Sequence, residues 1–367
     1  MNERLSNVAS WLSEKSYDAA FISSTENVFY LTNFYTDPHE RLLGLFVFPN
    51  TEPVLVCPFM EVNQAKSAGW KYGVVGYEDH ENPWELIRAA LHKREINNIG
   101  RLAVEKEQLS FLRSEELKTL YQDVVFESVE EKMNELRVVK TQAEIDILQE
   151  AAALADYGVE VGVSALKEGV TEMDVLAKIE YELKRKGIRE MSFSTMVLFG
   201  EKTGDPHGNP GLRTLKKGDM VLFDLGVVLD GYCSDITRTV AFGEITEKQQ
   251  HMYETVNKAL EAALSASKPG TRIGDLDMIA RNLISEAGYG EYFPHRLGHG
   301  LGISVHEFPS MNRTNDDVLK EGMVYTIEPG VYIPNIGGVR IEDDVVITKD
   351  GNKTLTKYPK KLQIIQP

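Results

Sequence analysis

Residues 221–240 read VLFDLGVVLDGYCSDITRTV, two apolar runs on either side of Asp230-Gly231. Asp-Gly between such runs is a strong signal for a two-residue hairpin turn. With those residues at the turn, Leu229 faces Tyr232, Gly226 faces Asp235 and Asp224 faces Thr237. Side chains alternate along a strand, so Asp224 and Asp235 project from one face as diagonal neighbours. Two carboxylates held that close in an apolar sheet repel each other unless cations sit between them. A bulge or a longer turn would shift this register.

Working outward, residues 295–306, HRLGHGLGISVH, set three histidines among glycines. The glycines beside His299 allow close backbone approach to a ligand. Residues 326–330, TIEPG, and 340–344, RIEDD, add carboxylates on apolar, strand-like runs. This donor set is rich in carboxylate, poor in nitrogen and free of thiol. It suits Mn²⁺ or Co²⁺ better than a structural zinc, although ligand type restricts the ion without fixing it. Arg340 is two residues from Glu342, so on a strand it shares that face and can hold a carboxylate ligand or a substrate group. Asp343 and Asp344 read as structural, and Cys233 as a bystander on the ligand face.

The 367 residues exceed one ordinary domain. A formal charge of −16 argues against nucleic acid as a partner, since phosphate binding needs a basic surface. Two cysteines, Cys57 and Cys233, read as free thiols of a reducing compartment. No apolar segment of signal-peptide or membrane-span length is visible, which points to the cytoplasm and away from membranes. Strand-like runs at 18–22, 42–48, 54–57, 74–77, 102–104 and 124–126 alternate with helical patterns, an α/β domain with a mixed sheet. It carries no phosphate loop and no dinucleotide fingerprint. Capping boxes at Thr141–Glu144, Thr171–Asp174 and Thr246–Gln249 open later helices. The domain boundary falls between Ser128 and Lys140. Arg137, Lys140 and Glu144 read as helix-surface and junction residues.

Together these segments resemble the metallopeptidases of the pita-bread fold, and within them the proline peptidases: Xaa-Pro dipeptidase (prolidase) and aminopeptidase P. Asp224 and Asp235 are eleven residues apart, and Glu328 and Glu342 fourteen, as in that group. The resemblance implies an α/β (α+β) chain, with a creatinase-like mixed-sheet domain over 1–130 and a pita-bread catalytic domain over 131–367. It implies two divalent metal ions per subunit, Mn²⁺ foremost and Co²⁺ or Zn²⁺ as alternatives. Asp224 would hold one ion, His299 and Glu328 the other, and Asp235 and Glu342 would bridge them. Glu328 could also take a proton from water.

The same resemblance gives roles to residues that carry little signal alone. His207 lies in a loop of turn formers seventeen residues before Asp224, matching a substrate-contacting histidine. His295 and His306, which alone read as packing histidines, become pocket and transition-state contacts. Arg296 is a candidate for the substrate's C-terminal carboxylate, and Tyr332 matches a tyrosine behind the ligands. The implied activity is hydrolysis of Xaa-Pro dipeptides by a homodimer. The alternatives are an Xaa-Pro aminopeptidase acting on longer peptides, or a creatinase-like relative that is not a peptidase. Methionine aminopeptidase shares the catalytic fold but usually lacks so large a first domain. The loop carrying Asp37, His39, Glu40 and Arg41 reads on its own as a solvated turn. It also resembles a prolidase loop that reaches over the partner subunit's site and restricts it to dipeptides.

Overall fold

The structure, a computed structural model, describes residues Met1–Pro367. The chain divides into two compact units, Met1–Leu136 and Arg137–Pro367. In the first, Leu5, Val8 and Leu12 share the buried face of α1 (Glu3–Lys15), and its N-cap Asn2 accepts the Leu5 N–H. Six strands follow: β1 (Ala19–Ile22), β2 (Gly44–Val47), β3 (Val54–Pro58), β4 (Gly73–Tyr77), β5 (Arg101–Val104) and β6 (Val125–Ser128). They form one mixed sheet in the order β4-β3-β2-β1-β5-β6. Strands β1 to β3 pair antiparallel, and the outer pairings are parallel. Strands β1, β2 and β3 are buried along their whole length and are accordingly apolar throughout. Helices α2 (Thr25–Thr32), α3 (Val62–Ser67), α4 (Pro83–His92) and α5 (Phe111–Leu120) connect them, and α6 (Glu130–Val138) runs across the unit boundary.

The second unit repeats one plan twice. Helices α7 (Gln142–Ser164) and α8 (Glu172–Arg185) precede β7 (Glu190–Met191), β8 (Met196–Phe199), β9 (Asp219–Leu225), β10 (Val227–Leu229), β11 (Tyr232–Cys233) and β12 (Ile236–Phe242). Helices α9 (Glu247–Ala266) and α10 (Ile273–Glu286) then precede β13 (Gly298–Gly300), β14 (Glu307–Met311), β15 (Val324–Ile327), β16 (Gly330–Ile333), β17 (Gly337–Arg340), β18 (Asp343–Thr348), β19 (Gly351–Thr354) and β20 (Ile364–Ile365). The three capping boxes open α7, α8 and α9. Small residues let α7 lie close to its sheet: a methyl at Gly162 would come within 2.7 Å of the Phe223 ring. Each half thus lays a helix pair on antiparallel strands, the duplicated pita-bread arrangement, and β20 returns to pair parallel with β12 of the first half. No helix is long and apolar enough to cross a membrane.

The hairpin has the register its turn dictates. Asp230 and Gly231 both take positive φ, 47° and 82°, Leu229 pairs with Tyr232 and Asp224 with Thr237. The ladder breaks at Gly226, where a Cβ would lie 1.8 Å from the Ser234 carbonyl oxygen. Only glycine lets the strands cross that closely, and Asp235 sits directly beyond the crossing.

Candidate active site

Strand β9 delivers Asp224, the β11–β12 junction Asp235, β13 His299, and the ends of β15 and β17 Glu328 and Glu342. All five line one cleft of about 460 Å³, together with His207, His295, Arg296, His306 and Arg340. Ligand atoms of Asp235, His299 and Glu342 lie within 4.8 Å of one another. His299 Nε2 is 3.4 Å from Glu328 Oε1 and 3.7 Å from Asp235 Oδ2. His299 Nδ1 is 3.1 Å from the Gly300 carbonyl oxygen, so Nδ1 carries the proton and the Nε2 lone pair faces the carboxylates. Burial, with His306 beside it, pushes this imidazole down to about 3.

A lone pair aimed at carboxylate oxygens is repulsive unless a cation lies between. The carboxylates carry the same signature. Burial and then Glu342 push Asp235 well above the usual range, burial and Glu342 do so for Glu328, and burial and Asp224 bring Glu342 to about 7. Asp224 Oδ1, Asp235 Oδ1 and Glu342 Oε1 are buried without a hydrogen-bond donor. Such orphaned anionic oxygens cost several kcal/mol in a protein interior, of order 1–3 kcal/mol each even when neutral. Divalent cations satisfy all three observations, so the residues present fit a metal centre.

Behind the ligands, the polar groups form ordered chains. Arg340 donates through Nη2 to Asp224 Oδ2 and through Nη1 to Tyr332 Oη at 2.7 Å. His295 Nδ1–H donates to the Arg296 carbonyl at 2.8 Å, which leaves Nε2 to accept the Tyr332 hydroxyl at 2.9 Å. Burial holds His295 neutral, down to about 4. Both of its nitrogens are therefore committed within the protein. Thr237, which faces Asp224 across the hairpin, donates to Glu342 Oε2 at 2.7 Å. Arg238, 1% exposed, binds the Glu342 carbonyl and Asp343 Oδ1. Asp344 Oδ2 accepts the Asp235 N–H at 3.0 Å, and Cys233 Sγ lies 3.3 Å from the Ile303 carbonyl oxygen.

His207 and His306 stand at the open rim of the cleft, and the His306 ring meets that of His299 edge-on at 4.2 Å. Arg296 spends one Nη1–H on Ser310 Oγ at 3.1 Å. Phe193, Met196 and Val305 supply an apolar wall. Sequence reasoning passed over Phe193 and Met196 because isolated apolar residues near a short strand look like core. Thr237 had a signal, since the predicted register already placed it opposite Asp224. One sequence expectation is corrected. Lys140 and Glu144 are not surface residues but are 6% exposed each, because Lys140 meets Glu307 at 3.2 Å and Tyr232 donates to Glu144 at 2.8 Å.

The loop of Asp37, His39, Glu40 and Arg41 belongs to the first unit. Asp37 Oδ1 accepts the His39 N–H at 3.0 Å, closing a turn in which His39 takes φ 59°. Arg41 is held by Asp79 through a two-point contact at 2.7 and 3.1 Å, and its carbonyl accepts from Arg113 at 3.2 Å. Asp37, His39 and Glu40 are exposed.

Comparison with known proteins places the chain clearly. Residues 146–349 match metallopeptidase family M24, and residues 4–139 match the creatinase/prolidase N-terminal domain. The dipeptidase candidate YkvY of Bacillus subtilis (strain 168) is 65% identical over 362 residues, covering 99% of each chain. Among solved structures, the prolidase from Pyrococcus horikoshii OT3 is 37% identical with a TM-score of 0.92, over 99% of this chain and 100% of that one. The Xaa-Pro dipeptidase from Bacillus anthracis is 32% identical with a TM-score of 0.90, over 100% and 99%.

Proposed function

Because the chain belongs to metallopeptidase family M24 and carries the creatinase/prolidase N-terminal domain, we propose that it hydrolyses the Xaa-Pro bond of dipeptides with two divalent cations. Asp224, Asp235, His299, Glu328 and Glu342 would hold the ions, Mn²⁺ foremost. When bound, they supply a water acidic enough to attack near neutral pH and polarise the scissile carbonyl. The observation that carries this reading is three orphaned carboxylate oxygens, of Asp224, Asp235 and Glu342, in the cleft where His299 Nε2 faces two further carboxylate oxygens.

The chain's own residues do the rest. Glu328 takes the proton of the attacking water and can return it to the departing proline nitrogen. His306 and His207 hydrogen-bond the carbonyl oxygen as charge develops there. Xaa-Pro is a tertiary amide without an N–H, so recognition rests on shape and charge. The wall of Phe193, Met196 and Val305 suits the pyrrolidine ring, and Arg296 suits a terminal carboxylate. Asp37, His39, Glu40 and Arg41 would act as the length filter in a homodimer, a role supported by the resemblance of that loop. The buried free thiols fit a cytoplasmic protein.

The test is an end-point assay of Mn²⁺-loaded protein on Ala-Pro and Ala-Pro-Ala, with a chelated control. Release of proline from Ala-Pro alone is expected. Cleavage of the tripeptide would make the protein an Xaa-Pro aminopeptidase and remove the loop's role as length filter. Activity that survives chelation would overturn the metallopeptidase mechanism.

A further inference from the structure

Residues 301–306 form the loop between β13 and β14 that presents Val305 and His306 to the cleft, and Glu307 opens β14. This loop is folded around a carboxylate. Glu307 side chain is 5% exposed, and its Oε1 accepts the Ser304 N–H at 2.9 Å. A methyl at Gly302 would lie 2.7 Å from Glu307 Oε2, so the backbone wraps the carboxylate at glycine distance. The charge is met by two cations, not one. Arg137 Nη2 reaches Glu307 Oε1 and also donates to Ser304 Oγ at 2.9 Å, while Lys140 Nζ donates to Glu307 Oε2 at 3.2 Å. Their side chains are 13% and 2% exposed. Lys140 is itself fixed by its own backbone, whose N–H donates to the Gly322 carbonyl at 2.8 Å, beside the bridge from Val139 to Met323. On the other side, the Cys233 N–H donates to the Gly302 carbonyl at 2.7 Å, two residues before Asp235.

A buried carboxylate shared by two buried cations is expensive to assemble, and breaking it is worse than never forming it. The hydrogen bonds of Glu307 run to Arg137, Lys140 and the Ser304 N–H, and its own backbone directly follows His306. The matched family regions end at 139 and begin at 146, so Lys140 lies in neither.

We propose that Arg137, Lys140 and Glu307 are positioning residues that set His306 against the reacting carbonyl. The inference rests on the role given to His306 above. The cluster acts on the transition state: a displaced His306 leaves substrate and metal binding in place and lowers turnover. A misplacement of about 1 Å lowers a rate by roughly 100-fold.

The experiment uses the full chain as wild type, E307Q, K140M, H306A and the double variant E307Q/H306A. Hydrogen exchange over 300–308, bound Mn²⁺ and the kinetics on Ala-Pro are measured on each. E307Q is expected to speed exchange at Gly302 and Ser304, keep its Mn²⁺, lose kcat by about 100-fold and change KM by less than about threefold. K140M removes one cation while Arg137 still faces Glu307, and is expected to lose about tenfold. E307Q/H306A should be no slower than H306A, because the effect passes through that imidazole. Losses that multiply in the double variant, Mn²⁺ lost in parallel, or unchanged exchange in E307Q would each overturn the proposal. Should E307Q not fold, K140M decides by the same exchange and kinetic readouts. Should the wild type not cleave Ala-Pro, the proposed function fails separately, and the exchange data still decide whether the cluster orders the loop.

Discussion

Removing the metal should turn Glu342 into a liability whose size depends on pH. With no cation, burial and Asp224 raise its carboxyl from an ordinary 4.5 to about 7. A carboxyl with a native value above its unfolded one binds more protons in the native state, so stability falls as pH rises across that window. The loss begins near pH 4.5, is complete above pH 7, and amounts to about 3 kcal/mol at 1.36 kcal/mol per unit. His299 and His295, lowered to about 3 and about 4, contribute the opposite slope below pH 6.5. The useful quantity is therefore wild type against E342Q, in which the histidines cancel. In chelated protein, E342Q should gain on the wild type between pH 5 and pH 8 by roughly 6–12 °C in Tm for a unit of this size. Relief of repulsion on Asp235 and Glu328 adds in the same direction. Mn²⁺ should reverse the order, stabilising the wild type at pH 8 far more than the variant. Thermal melts at both pH values, with chelator and with Mn²⁺, read all four cases. A chelated pair whose Tm difference stays flat from pH 5 to pH 8 would refute the reasoning, because the cluster would then carry no strained charge for a cation to relieve.

Two further outcomes follow from other contacts. Glu172, fully buried, accepts the Phe199 and Gly211 N–H groups at 2.9 and 2.7 Å and pairs with Lys202, closing the loop that carries His207; E172Q should cost about 1–3 kcal/mol in urea unfolding and open residues 200–211 to proteolysis. Gly226→Ala drives a methyl into the Ser234 carbonyl, so it should lower the urea-derived stability by more than about 3 kcal/mol and lose bound Mn²⁺, since Asp235 lies beyond that crossing.

The parts of the site legible in the sequence are those fixed by local chemistry. Asp230-Gly231 can hardly avoid its turn, and the turn sets which residues face each other, so Asp224, Asp235 and Thr237 follow from twenty residues. The strands of the first unit's sheet were legible for the same reason, as continuous apolar runs. What stayed hidden are buried charges whose partners are far along the chain. Lys140 follows a helix and precedes a capping box, which by every local rule is a surface position, yet its partner Glu307 is 167 residues away. Asp277 and Arg281 look like an ordinary i,i+4 surface pair. In the fold, Asp277 is buried and accepts the Leu297 N–H at 3.0 Å, while Arg281 donates to the Phe293 and His295 carbonyls at 2.9 and 2.8 Å. Periodicity cannot find such residues, because their burial comes from one tertiary contact and not from the face of an element.

This division has a physical cause. A metal ligand must be a particular residue at a particular spacing, so it leaves a pattern. A residue that holds a ligand-bearing loop need only present a charge at the right place, and many sequence positions can do that. Each histidine-bearing segment here is pinned from behind by a buried carboxylate: Glu172 for His207, Asp277 for His295 and His299, and Glu307 for His306. Carboxylates suit this work because one group accepts backbone N–H and cationic donors together, as Glu172 does from Phe199, Gly211 and Lys202, Asp277 from Leu297 and Arg281, and Glu307 from Ser304, Arg137 and Lys140, and burial makes the contact costly to lose. The same low dielectric that strains the five ligands without a cation thus rigidifies the loops around them. The strain is relieved by metal and the rigidity by nothing, so a preformed cleft is expected in chelated protein, with the ligands destabilised and the loops in place.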